Sequence, residues 1–466
     1  MKLFSSLKRE QKEAIGLLQI GTFLEYFDLM LYVHMAVLLN ELFFPKTDPH
    51  TAALLSAFAF CSTFVLRPFG ALVFGYIGDH IGRKTTVIIT TMMMSTSCVI
   101  MANLPTYAQV GITATWFVTI CRIVQGLSSM GEIIGCQIYI TEITKPPAQY
   151  PAVAFIGVAS SIGAVAALGV ASLVTTTGFN WRIAFWIGAG IAVIGSIARI
   201  RLRETPEFVD KKRQLQKEIE EDVLDESARE FKLTTMKRFI EKKQKQKISK
   251  TTLVSCFFIY CGWPLSFYLG FMYFTPILKE VYGYSSENII FHNFFLSIVM
   301  LLNSASWSIL SYKIHPLKIL KLKAQAFGFL TLFLPFLILK ASHSYQIFAL
   351  QSILLIVSLG ANPADSVFIK HFPVFKRFTT TSFLYALSRA LMYIFTSFGL
   401  VYFTESLGQW GIWLVMLPAT VGFIAGVHHF EKLEKISKVA EHTSIFQNIN
   451  WLHIFRRRKD HENKAF

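Results

Sequence analysis

Residues 75–84 read GYIGDHIGRK. Three glycines, one acid and two bases fall within ten residues, and a long apolar run lies on each side. Gly75, Gly78 and Gly82 suit a tight turn between two helices. Asp79 is expected at a helix N-terminus, where the helix dipole favours an anion. Arg83 and Lys84 follow it. The flanking runs are each long enough to cross a bilayer, which takes about 20 residues.

Ten more such runs follow from the rest of the chain. The twelve expected spans are 15–40, 51–77, 85–104, 110–140, 151–177, 182–200, 252–280, 289–311, 317–340, 345–369, 379–403 and 409–429. Of the 466 residues, 53% are hydrophobic and 16% charged, with mean hydropathy +0.47. A soluble chain carries about 25% charged residues. The expected fold is therefore all-α: a polytopic membrane protein with 12 transmembrane helices in two six-helix bundles. The bundles are 15–200 and 251–430, with an N-terminal segment 1–14, a linker 201–250 and a basic tail 431–466.

The net charge of +16 would suggest nucleic acid in a soluble protein, but its placement gives another reading. With the N-terminus inside, the inner segments hold 38 of the 45 Lys and Arg. The outer loops hold only Lys46, Arg182, Lys279 and Lys340. This is the positive-inside pattern, which puts both termini in the cytoplasm and makes membrane lipids, not nucleic acid, the partner of the basic stretches. The linker carries 15 Lys and Arg with 11 Asp and Glu and reads as a solvated helical segment. The tail sequence WLHIFRRRK suits either the membrane surface or a disordered end. All six Cys fall within expected spans, so no disulfide framework is expected. His34 and His292 are expected near the outer interface. Small residues crowd the fifth span at Gly157, Ser161, Gly163, Ala167 and Gly169, where they allow close helix packing.

An ionisable residue within a span costs about 2.5–3.5 kcal/mol to insert, which makes each one a functional candidate. Glu25, Asp28, Arg67, Arg122, Glu132 and Arg389 lie deep in spans. Asp365 lies about five residues from an inner end, within reach of snorkelling. At 100° per residue, Gly21, Glu25, Asp28, Tyr32 and Met35 share an arc of roughly 80°, and so do Arg122, Gln125, Ser129, Glu132 and Cys136. Each stripe should face a protein interior or a water-filled cavity and not lipid. If the two stripes face each other, Arg122 can pair with Asp28 or Glu25, either as a fixed ion pair or as part of a proton path. Two acids against one Arg leave a spare carboxyl, and proton coupling needs such a group. Trp263 and Tyr268 could box an ammonium group by cation–π contact, although aromatics are common throughout this chain. Pro264 and Pro276 should bend the seventh span. Asn303, Asn362, Asp365 and Arg389 are candidates for the second-half cavity wall.

No glycine loop ends in Lys-Ser/Thr, so ATP is not the expected energy source. No His/Cys set has metal-ligand spacing. No enzyme activity, cofactor or metal is expected.

The stretch at 75–84 resembles the loop signature of the major facilitator superfamily, with His80 where that family usually has a basic residue. Arg122, Gln125 and Gly126 resemble its arginine-x-x-glutamine-glycine motif. RPFG at 67–70, EYFD at 25–28, WRIAFWIG at 181–188 and RETPEF at 203–208 resemble the metabolite:proton symporter family within it. The likeness is dense over residues 20–210. In the second half the corresponding loop, SYKIHPLKILKLK, has neither Asp nor Gly, and only FPVFKRF, with Pro373 and Arg377, echoes the family. The resemblance implies a central cavity and proton-driven alternating access. The implied function is symport of a small polar metabolite such as proline, a betaine or a dicarboxylate by a monomer in a bacterial inner membrane. A non-transporting receptor or decayed paralogue and a proton-independent facilitator are the alternatives. Asp28, Glu25, Arg122 and Glu132 are then the proton-coupling set. Tyr32, Arg67, Gln125, Ser129, Trp263, Tyr268, Asn303, Asn362 and Arg389 are the cavity set. Gly75, Asp79, Gly82, Arg83, Lys84 and Glu142 are the inner gate.

Overall fold

A computed structural model describes residues 4, 6–34, 39, 42–44, 64–177, 180–200, 203–221 and 248–435. The first half runs α1 (Arg9–His34), α2 (described from Arg67 to His80), α3 (Arg83–Asn103), α4 (Ile112–Ile143), α5 (Gln149–Thr177) and α6 (Trp181–Ile200). A linker helix, Pro206–Glu221, follows. The second half begins with α7 (Lys250–Glu280), α8 (Ser286–Leu310) and α9 (Pro316–Lys340). α10 is in two pieces, Ser344–Ile356 and Asp365–Lys370, and α11 runs from Val374 to Leu407. α12 covers 413–435. Eight helices among the described residues are long and apolar enough to cross a membrane. The architecture is the 12-helix, all-α membrane fold that the apolar runs imply.

The helices form because long apolar runs satisfy their backbone internally, and local signals set their ends. Ser285 accepts a hydrogen bond from the Asn288 N–H and starts α8. His315 and Pro316 start α9. Gly82, at φ +151°, turns the chain between α2 and α3. Large apolar side chains such as Phe69, Val73, Phe329 and Leu339 point outward, as a lipid-facing surface requires.

Three described spans are irregular: α11 carries a π-helical turn at Phe395–Gly399, and in α7 and α10 neighbouring polar side chains repair the breaks. α7 contains Pro264 and then one π-helical turn at Tyr268–Met272. The carbonyl of Gly270 in that turn accepts from the Gln351 amide at 2.8 Å. Gln351 in turn meets His292 at 2.8 Å. His292 is thus buried within the second half, where Gln351 offers it a partner. The break in α10 passes through Gly360 and Pro363, and Leu359 N–H donates to the Ser266 hydroxyl at 2.9 Å. The Leu355 carbonyl at the end of the first piece accepts from Asn303. The break also redirects Asp365. Instead of snorkelling, its side chain is buried, 4% exposed, at the start of the second piece of α10.

Across the halves, α2 packs against α11 and α5 against α8. Within the first half, α1 packs along α5. A Cβ at Gly163 of α5 would collide with the Phe23 carbonyl of α1, whereas one at Gly169 would meet nothing within 4 Å. Gly163→Ala should therefore destabilise the protein by roughly 1–3 kcal/mol, the usual cost of overpacking. Gly169→Ala should be neutral or slightly stabilising. Thermal unfolding midpoints in detergent check this, and equal midpoints for the two variants would contradict it.

Candidate functional site

The residues around 75–84 meet the second half directly. A Cβ at Gly75 would lie 2.6 Å from Thr379 Cα, and one at Gly78 would run into the Phe378 ring. These glycines let α2 approach α11 closely enough for Asp79 to reach its backbone. Asp79 accepts from Phe378 N–H at 3.0 Å, Thr379 N–H at 2.9 Å and the Thr379 hydroxyl at 2.8 Å. The acid therefore binds the opposite half and does not cap α3. The anion at the α3 N-terminus is Glu204, which accepts from the Arg83 N–H at 3.0 Å and from the Lys84 N–H. Lys84 thus contributes its backbone to this end of the molecule.

Arg83 is fully buried. Its guanidinium donates to Glu142, to the Gly78 carbonyl and to the Val374 carbonyl of α11. Glu142 also accepts from Arg377 at 2.9 Å and from the Thr205 hydroxyl at 2.6 Å. Arg377 pairs further with Glu207 at 3.0 Å. Phe208 lies under the Arg83 guanidinium, 4.6 Å from ring centroid to cation, and packs on Phe375. Residues 204–208 are therefore a clasp touching both halves, with Thr205 and Phe208 buried, where the linker's composition suggested solvated chain. Glu207 adds a counter-charge to Arg377, Thr205 donates to Glu142, and Glu204 caps α3. The rest of the linker beyond 221 and the WLHIFRRRK tail lie outside the described residues.

Deeper in the first half, Arg122 Nη1 is 3.9 Å from Asp28 Oδ2 and donates to Gln125 Oε1 at 2.8 Å. Cys98 Sγ donates to the other Asp28 oxygen at 3.4 Å. Glu25 is buried one turn along α1. Glu132 accepts from Thr91 of α3 at 2.8 Å, so it faces the α3–α4 seam and not the central cavity. Arg67 is buried with its cation 4.5 Å from the Phe64 ring centroid. The side chains of Tyr32 and Met35, and Cys61, lie outside the described residues.

A cavity of about 120 Å³ lies between the halves. By this measure one water needs roughly 10–15 Å³, so a small solute has room. Trp263, Asn303, Asn362 and Arg389 line it, while Arg67, Gln125, Ser129 and Tyr268 do not. Gln125 is held by Arg122, and the Ser129 hydroxyl is turned to the Gly126 carbonyl. Tyr268 sits in the π turn. Tyr26, Gln137, Tyr260, Lys323 and Tyr385 also line the cavity, though periodicity did not single them out. Arg389 lies over the Tyr385 ring, 3.3 Å from its centroid. Tyr26 lies within Coulombic reach of Glu25 and Arg67 in the first half and of Arg389 in the second.

The family model described as Major Facilitator Superfamily matches residues 18–397. The proline/betaine transporter of Salmonella typhimurium is 28% identical over 284 residues, covering 59% of this chain and 55% of the relative. The inner membrane metabolite transport protein YhjE of Escherichia coli is 36% identical over 197 residues, covering 41% of this chain and 45% of the relative. The chain thus spans about half the length of the curated relatives it matches. Among solved structures, the proton:xylose symporter XylE bound to 6-bromo-6-deoxy-D-glucose superposes with TM-score 0.70 at 15% identity, over 90% of this chain and 95% of that one. The human organic anion transporter MFSD10 superposes with TM-score 0.64 at 15% identity, over 91% and 100% of the two chains.

The clasp generates a prediction. Glu142→Gln leaves Arg83 and Arg377 short of counter-charge, and breaking a buried pair costs about 3–5 kcal/mol, here borne by the closed arrangement. Spin labels at the exposed Ile81 and Lys318, one in each half, should then report a longer distance by double electron–electron resonance. A distribution unchanged from wild type would remove Glu142 from any role in holding this end shut.

Proposed function

The chain belongs to the major facilitator superfamily, and from that premise we propose that it is a proton-coupled symporter of a small polar metabolite. It would work by alternating access in a bacterial inner membrane. The observation that carries this reading is the buried Asp28–Arg122 pair with Cys98 as a further donor to the acid. A carboxylate this deep requires a cation or a proton. Arg122 lies at the outer limit of an ion pair from Asp28, and Gln125 shares its guanidinium. Asp28 is thus held by a contact loose enough to give way when a proton binds. Glu25, one turn away, offers a second carboxyl on the same face of α1.

The clasp around Glu142 closes one end of the molecule. The basic residues concentrate at that end, which fits a cytoplasmic location for the gate and both termini. In this reading the structure is the state shut toward the cytoplasm. Protonation of Asp28 frees Arg122, substrate fills the cavity, and the clasp separates to release both inside. The relatives' names motivate proline and betaines as substrates, and XylE is a proton symporter of the same fold.

The test is uptake into proteoliposomes with labelled proline and glycine betaine. Asp28→Asn should abolish accumulation driven by an inward proton gradient while leaving counterflow exchange intact. Full accumulation by this variant would remove Asp28 from the coupling path. Wild-type flux that ignores the gradient would make the protein a facilitator instead.

A further inference from the structure

Lys323 stands near the start of α9, among bases that the positive-inside pattern puts at the cytoplasmic end. Its side chain is instead 8% exposed and lines the cavity. Among the described residues no acid pairs with its ammonium group and no acceptor takes a hydrogen bond from it. Its neighbour Lys321 finds Glu431 at 3.3 Å, so acids are available to α9, but not at Lys323. A buried cation aimed into a solute-sized cavity without a counter-charge calls for an anionic group from outside the chain.

The same cavity supplies an opposite pole. Asp365, buried at the start of the second piece of α10, makes no ion pair among the described residues, although Arg389 lies within Coulombic reach. The Asn362 carbonyl oxygen and the Trp307 Nε1–H are buried polar atoms on the wall with no hydrogen-bond partner among the described residues. Buried polar groups are normally paired, so a cluster of unpaired ones around a cavity marks a place where a ligand completes them. Trp307 adds a donor, Asn362 an acceptor, and Tyr260 and Trp263 add aromatic faces.

We propose that this cavity binds a zwitterion, with its carboxylate on Lys323 and its cationic end toward Asp365 and the aromatic wall. This narrows the substrate class of the symporter reading above and rests on it. A dicarboxylate fits less well, because its second carboxylate would meet Asp365. Arg389 is already engaged by the Tyr385 ring and the Tyr385 carbonyl.

Equilibrium binding to the purified full-length protein in detergent tests this without a gradient, so a failure of proton coupling leaves the result unaffected. Four probes separate the charges: glycine betaine and proline carry both poles, choline lacks the carboxylate, and succinate lacks the cation. Wild type should bind the two zwitterions at least about tenfold more tightly than choline or succinate, the scale of one charge-assisted hydrogen bond. Lys323→Met should bring the affinity for glycine betaine down to that for choline, and Lys323→Arg should keep part of the difference. Asp365→Asn should narrow the preference over succinate. Each comparison is a ratio within one preparation, so loss of folded protein does not mimic it. Wild type that binds neither zwitterion, or binds choline or succinate as tightly, overturns the proposal. So does a Lys323→Met protein that keeps the wild-type betaine-to-choline ratio.

Discussion

Glu142 is buried between guanidinium groups from the two halves of the molecule, Arg83 at 3.1 Å and Arg377 at 2.9 Å. Away from water, none of the three could stay charged alone without a cost of several kcal/mol. The contact therefore holds the halves together at this end as well as filling a seam. Around it, backbone dipoles answer much of the remaining charge. Asp79 takes two backbone N–H groups of α11 and lies 3.6 Å from Arg83 Nη1, and Glu204 takes two N–H groups at the start of α3. The bare glycines at 75 and 78 are the steric condition for all of it, since α2 could not otherwise come within reach of α11.

Under the proposed alternating access this closure must also open, and its chemistry suits that. Its members sit at the end of the helices, close to water, and ions that lose a protein partner there can be rehydrated. A closure built from apolar packing would expose greasy surface when it parted. Charged groups give two defined arrangements, paired or hydrated, and a two-state element of this kind is what alternating access requires. The residues 204–208 add a covalent link to the mechanism, because the chain that joins the halves also carries Glu204, Thr205, Glu207 and Phe208 into the seam.

Much of this was legible in the residues. Apolar runs gave the spans, and the glycine–acid–base stretch gave the first-half members of the closure, because local sequence carries them. The helical phase of α1 and α4 placed Asp28 and Arg122 on polar stripes for the same reason. What was not legible depends on partners far along the chain. Asp79 contacts residues 299 and 300 positions away, and no local pattern names them. Glu204 was hidden by the charged composition of the linker around it. The misplacement of Lys323 had a readable signal: on α9 it lies about 140–160° around the helix from Lys318 and Lys321, on the opposite face. The break in α10 had one too, in Gly360 and Pro363 within an apolar segment, and such interrupted spans mark binding sites in transporters.

The buried charges divide unevenly. The first half holds the carboxyls proposed for the proton, with Arg122. The second half holds Lys323, Asp365 and Arg389, proposed for the solute, and Tyr26 is within Coulombic reach of charges in both sets. This division has an energetic logic. A zwitterion answers Lys323 and Asp365 together yet adds no net charge to the cavity, so its transfer need not be matched by a second ion. The proton then supplies the only net charge of the cycle. Moving one positive charge inward across the membrane is worth about 2.3 kcal/mol per 100 mV. Voltage and the pH gradient would thus both act through the α1 carboxyls, while the second half is free to select the solute by the spacing of its two poles.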